Sequence, residues 1–220
     1  MKNFISELIK SSPIHRQPFF ISLLNGTMDK ERFKETQISI LDAVEFFSKP
    51  MFIISSKLDS YEDRYCIIRN ILDEHGNGEI KKAHGNTFRQ YLFSLGATEK
   101  QIKNRKPNQA AVKYNNILME CSLNSSTIRS VAMMGIIEER YSKISATIVK
   151  EILKKKWISK ENLYHYSLHE ELDVEHAQGF YNIIKGGWED INLKEEIKKG
   201  LSLGNSMILN LYCLLYTSDA

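Results

Sequence analysis

The sequence predicts an all-α fold, and three observations carry that expectation. Only 4 prolines and 11 glycines punctuate 220 residues. Between them, apolar residues recur at three- and four-residue spacing, and alternating strand-like runs are nearly absent. Long helices joined by short loops imply a compact antiparallel bundle of about seven or more helices, and no stretch reads as a second unit, so residues 1–220 form one expected domain. The spacing places helices at roughly 15–25, 30–48, 51–59, 61–75, 84–95, 109–121, 126–155, 160–184 and 190–215.

The punctuation supports each division in turn. Gly26 stops the first helix and Asp29 caps the second, while the Lys49-Pro50 pair breaks that helix and starts the next. "GNGEIKK" at 76–82 separates two helices whose facing ends both carry histidine or carboxylate. "SLGATEKQ" and "KGGWED" are further stop-and-restart signals. The end, "LNLYCLLYTSDA", is an apolar helix that drops into a polar tail, whose last few residues read as non-native or disordered.

Composition narrows the class without naming a partner. A chain 42% hydrophobic and 26% charged is an ordinary soluble globular protein, and a net charge of +3 is too small to argue for a nucleic-acid or membrane surface. Cys66, Cys121 and Cys213 are widely spaced and lack the pairing of a zinc or redox motif, so reduced thiols and a cytoplasmic location are expected. "MKNFISELIK" is not a secretory signal, and no window approaches the ~18 apolar residues of a membrane span.

The stretch "YHYSLHEELDVEHAQGF", residues 164–180, concentrates the chemistry. On a helix, His169, Asp173 and His176 fall at about 0°, +40° and −20°, with Phe180 on the same side and Leu172 close by. That face points inward. Glu170, Glu171 and Glu175 fall at about 100°, 200° and 240°, on the flank and back, where solvation accounts for them. A lone inward histidine is ordinarily a satisfied core residue. Three such groups at i, i+4, i+7 admit a metal as readily as a structural role, because a buried carboxylate must be paired or bound to a cation. Imidazole and carboxylate without thiolate suit iron or manganese, and a two-metal site needs more carboxylates from facing helices.

Two other segments can supply them. "NILDEHGNGEIKKAHGNTF" presents Glu74 at the end of one helix and His84 at the start of the next. "MMGIIEERYSKIS" sets Glu138 among Met134, Ile137, Tyr141 and Ile144. Taken alone, Glu138 reads as a half-exposed glutamate; beside the other segments a ligand role stands level with that. Met133, Met134, Ile137 and Tyr141 could line a pocket, although such stripes are more often plain core.

Glutamate, loop, histidine, then a mid-helix glutamate, then H-x3-D-x2-H: this order resembles the haem-oxygenase-like di-iron oxidases, and the resemblance covers nearly the whole chain. It implies a haem-oxygenase-like helical fold with Glu74, His84, Glu138, His169, Asp173 and His176 as metal ligands and Tyr141 as a pocket residue. His165 would stand behind the ligands. It further implies two iron ions, or iron with manganese, with dioxygen as co-substrate, an external electron donor, no haem and no nucleotide. Three carboxylates against two divalent ions leave a charge of +1, which favours recruiting an anionic group such as a substrate carboxylate or reduced dioxygen, and the resemblance implies N-oxygenation, C–C cleavage, desaturation or decarboxylation of a small amino acid or fatty acid. A homodimer is implied as well.

Departures and rivals remain in view. Glu74 and His84 lie ten positions apart where some relatives have a shorter linker, which makes His75 a competitor. A related group resembles para-aminobenzoate synthases that consume one of their own tyrosines. Here Phe19 and Phe20 stand in the early helices and no tyrosine precedes Tyr61, so Tyr141 and Tyr164 are the candidates. A haem-binding relative would use His15, a thiaminase-like hydrolase would need a cysteine nucleophile with a base, and a non-catalytic helical protein could hold metal without turnover.

Overall fold

The computed structural model describes residues 1–217, except for the side chains of residues 164, 168–171, 215 and 217. Eleven α-helices follow one another in this span: α1 (Lys2–Ser11), α2 (Pro18–Asn25), α3 (Lys30–Phe46), α4 (Ser48–Ser56), α5 (Tyr61–Glu74), α6 (His84–Ser94), α7 (Glu99–Lys103), α8 (Gln109–Asn124), α9 (Thr127–Lys154), α10 (Tyr164–Ile184) and α11 (Ile191–Thr217). No strand occurs among the described residues. The tail expected to be non-native falls largely beyond them, at residues 218–220.

Local chemistry explains the boundaries. Gly26 ends α2 with φ 85°, and the Asp29 carboxylate accepts the Arg32 N–H at 2.8 Å to open α3. Ser60 and Ser126 cap α5 and α9 in the same manner. Pro50 lies in the first turn of α4, where its missing N–H has no helical partner to lose, so that helix begins at Ser48 and not at 51 as expected. The expected helix at 15–25 is a short 3-10 turn, Ile14–Arg16, followed by α2 with Pro18 at its first position. His15 is exposed on that turn. The first residues of the expected 160–184 helix likewise form a 3-10 turn, Lys160–Leu163.

The longest helix, α9, is the axis of the bundle, with α10 and α11 packed along it. Residues 130–138 of α9 are buried on every side, as expected of a helix apolar all round. Gly135 permits the close approach of α10: a Cβ there would stand 2.9 Å from the Tyr181 ring and 3.0 Å from Phe180 Cβ. The buried Arg140 donates through Nε to Asn205 Oδ1 and through Nη2 to the Ser12 carbonyl, both at 2.6 Å, tying α9 to α11 and to the end of α1. Among the described residues no helix is long and apolar enough to cross a membrane.

Candidate metal centre

Four helices bring the chemistry-bearing side chains to one place. The break between α5 and α6 turns sharply through three left-handed residues: Gly76 (φ 76°), Asn77 (φ 52°) and Gly78 (φ 90°). It returns the chain so that Glu74, last residue of α5, meets His84, first residue of α6: Glu74 Oε1 lies 2.9 Å from His84 Nδ1. Opposite them, α9 contributes Glu138 and α10 contributes Asp173 and His176. One ligand atom from each of these three lies within 4.8 Å of the others.

All five are nearly sealed from water, with exposures of 7% for Glu74, 2% for His84, 2% for Glu138, 0% for Asp173 and 8% for His176. Ionised carboxylates are not stable in such surroundings by themselves. Burial, then Asp173 and Glu74 nearby, holds the Glu138 carboxyl well above its usual range, against the pull of His176 and of the Asn70 amide. Burial, then Glu74, does the same to Asp173, with His84 pulling the other way. Burial would depress the His84 imidazolium, but the Glu74 carboxylate beside it, with Asp173 and Asp73 behind, raises it overall.

These residues fit a bound cation. His176 Nδ1 is buried, has no hydrogen-bond partner among the described residues, and faces Glu138 Oε1 and Asp173 Oδ1, each at 3.8 Å. A nitrogen lone pair set against two carboxylate oxygens is repulsive unless a proton or a metal cation stands between them, and the three donors lie close enough together to share one cation. Nitrogen and oxygen donors without thiolate suit iron or manganese.

The structure thus brings Glu138, Asp173 and His176 together and sets the Glu74–His84 pair beside the same cavity, with one candidate outside the description. The side chain of His169 lies among those not described; its backbone is in α10, one turn before Asp173. His75, the competitor to Glu74, is exposed, its ring set against Phe52 and its Nδ1 within 2.8 Å of the Ile71 carbonyl. His165, expected to stand behind the ligands, lines the adjoining cavity beside His84, its ring edge-on to that of His84 and its Nδ1 2.9 Å from Thr87 Oγ1. Glu175 is exposed, while the side chains of Glu170, Glu171 and Tyr164 are not described.

A cavity of about 50 Å³ adjoins the acids, lined by Glu74, His84, Glu138, Tyr114, Tyr141 and Tyr212 with apolar side chains from α3, α9 and α11. That volume admits a few water-sized groups. Ile137 and Tyr141 belong to its wall, whereas Met133 and Met134 are fully buried packing. Behind the wall, Tyr166 donates to Gln37 Oε1 at 2.6 Å, and Tyr91 reaches the same oxygen at 3.4 Å. Burial raises the phenols of Tyr114, Tyr141, Tyr166 and Tyr212 well above their ordinary range, so they remain neutral donors.

Two polar residues that sequence reasoning missed sit on α5. Asn70 donates through Nδ2 to Glu138 Oε1 at 3.0 Å, and Asp73 Oδ2 lies 3.0 Å from His176 Nε2. Asn70 stands four residues before Glu74 and three before Asp73, the helical spacing that sets these side chains near one another on α5.

Comparison with known proteins agrees with this geometry. Residues 38–204 match the family described as iron-containing redox enzyme, and the chain belongs to that family. It is 24% identical over 217 residues to a protein named 4-aminobenzoate synthase from Chlamydia trachomatis, covering 97% of this chain and 90% of that one. A CADD-like protein of unknown function from Nostoc punctiforme superposes with a TM-score of 0.81 at 15% identity, over 99% of this chain and 96% of the other. A domain of unknown function with a haem-oxygenase-like fold from Shewanella denitrificans superposes with a TM-score of 0.77 at 11% identity, over 99% and 89% of the two chains. The fold is thus haem-oxygenase-like.

Proposed function

We propose that the protein is a non-haem oxidoreductase that holds two iron ions, or iron with manganese, and uses dioxygen to oxidise a small organic molecule. The observation that carries this reading is the convergence of Glu138, Asp173 and His176 within 4.8 Å, beside the Glu74–His84 pair, at a small, mostly apolar cavity. Glu74, His84, Glu138, Asp173 and His176 would hold the metals, with His169 completing the set by resemblance. Bound iron would supply the redox chemistry with dioxygen, and an external donor the electrons.

The chain's own residues have definable tasks. Asn70 fixes one oxygen of Glu138 through its amide N–H. The apolar wall from α3, α9 and α11 keeps bulk water from the reacting atoms. Three carboxylates against two divalent ions leave a net positive centre, which favours a carboxylate-bearing substrate.

Anaerobic loading with Fe(II), followed by exposure to dioxygen, tests the reading. Oxygen uptake that requires iron and is lost in Asp173→Ala is expected; no iron-dependent uptake would count against it. A second reading, in which the chain contributes one of its own tyrosines, is favoured by Tyr141, which stands in the cavity wall one helical turn from Glu138. Intact-protein mass after reaction separates the two, because only self-modification changes it.

A further inference from the structure

Helix α5 carries more of the centre than its one ligand. Asn70, Asp73, Glu74 and Asn77 follow at i, i+3, i+4 and i+7 in and just beyond it. Asn70 holds Glu138, Glu74 meets His84, and Asp73 reaches His176. Asp73 borders an open groove of about 500 Å³ between α5 and α10, and its side chain is 18% exposed, so it could have turned to solvent. Instead both its oxygens are committed within the protein: Oδ1 accepts Asn77 Nδ2 at 2.7 Å, and Oδ2 lies 3.0 Å from His176 Nε2.

We propose that Asp73 is a positioning residue of the metal centre, holding the proton of His176 on Nε2 so that Nδ1 is the nitrogen presented to metal. The inference rests on the metal-binding reading above. An imidazole free to rotate or exchange tautomers would present a usable lone pair only part of the time. A carboxylate on the outer nitrogen fixes both ring orientation and tautomer, and makes the inner nitrogen a stronger donor. The geometry has that form: Nε2 points outward to Asp73, and Nδ1 points inward at Glu138 and Asp173, 3.8 Å from each. Asn77, in the left-handed turn after α5, braces Asp73 in turn, so the glycine-bearing break supports His176 as well as the Glu74–His84 pair.

Anaerobic titration with Fe(II) alone tests this in four proteins: the parent, Asp73→Ala, Asp73→Asn and Glu175→Ala. Glu175 is an exposed carboxylate on the same groove and has no hydrogen bond or ion pair with Glu74, His84, Glu138, Asp173 or His176, so it reports the effect of removing a nearby charge. Asp73→Ala is expected to weaken iron binding about 10–100-fold, the usual effect of losing such a partner. Asp73→Asn keeps the shape and an acceptor oxygen and should recover part of the loss, with circular dichroism unchanged. Glu175→Ala should bind as the parent does. Parent-like affinity in Asp73→Ala, no recovery in Asp73→Asn, or an equal loss in Glu175→Ala overturns the positioning role while leaving the metal reading intact. A parent that binds no iron overturns both.

Discussion

Glu74 Oε1 and His84 Nδ1 stand 2.9 Å apart although they belong to different helices. The turn that joins them depends on Gly76, which has φ 76°, and a Cβ there would lie 2.4 Å from the Glu79 carbonyl oxygen and 2.6 Å from the Ala83 nitrogen. Gly96 also has positive φ, 97°, but open space around it. Gly96→Ala should therefore cost only conformational strain, about 1 kcal/mol, and Gly76→Ala about 3 kcal/mol or more because backbone must move. Denaturant unfolding of the two variants gives the comparison, and equal losses would contradict the role of the turn.

The buried acids make the metal-free protein sensitive to alkali. Glu138 and Asp173 are raised from ordinary values of 4.5 and 3.8, and His84 from 6.5, so each holds a proton more tightly folded than unfolded. Their stabilising contribution is complete below those ordinary values and is lost as pH climbs through the raised folded ones. The unfolding temperature of metal-free protein should fall between about pH 4 and pH 8. Added Mn(II), which must displace these protons, should stabilise more at the alkaline end. A metal-free melting profile flat across that range would contradict the burial argument.

A surface pair should behave in the opposite sense. Arg129 holds Glu196 bidentately, with Nε to Oε2 at 2.8 Å and Nη2 to Oε1 at 2.7 Å, joining the start of α9 to α11. Hydrogen bonds from Arg129, then Lys199, against a small burial effect, bring the Glu196 carboxyl from 4.5 down to about 2. Its contribution is present above pH 4.5 and disappears as pH falls towards 2. Both side chains are partly exposed, so Glu196→Gln should cost only about 1 kcal/mol at neutral pH, with no difference from the parent near the acid limit. Urea melts at both pH values check it.

The tyrosine network behind the cavity is a matter of stability as well as of chemistry. Tyr166→Phe removes the 2.6 Å donor to Gln37 Oε1 and leaves that buried oxygen with Tyr91 at 3.4 Å. The expected loss is about 1–3 kcal/mol, the cost of a poorly satisfied buried acceptor, and Tyr91→Phe should cost less. The order of the two denaturation midpoints is the test.

What was legible in the sequence divides along physical lines. The long helices announced themselves through apolar period and caps, and the same periodicity put Asp173 and His176 on the buried side of α10. Glu138 alone reads as a half-exposed glutamate, and only the segments around Glu74, His84 and Asp173 made a ligand role visible. By contrast, α7 has only five residues and carries little periodic signal, whereas Phe4, Ile5, Leu8 and Ile9 give α1 a clear apolar face that the expected helices leave out. Asp73 beside Glu74 looks like a solvated helix-end acid until α10 is seen across from it. The contact of Tyr166 with Gln37 joins residues 129 positions apart, a relationship that only the fold creates.

Metal content is the most direct measurement of the central claim. Protein purified without chelator should carry close to two equivalents of iron or manganese, and Asp173→Ala or His176→Ala should lose them while the metal-free fold persists. Stoichiometric zinc, or no metal in the parent protein, would contradict the account.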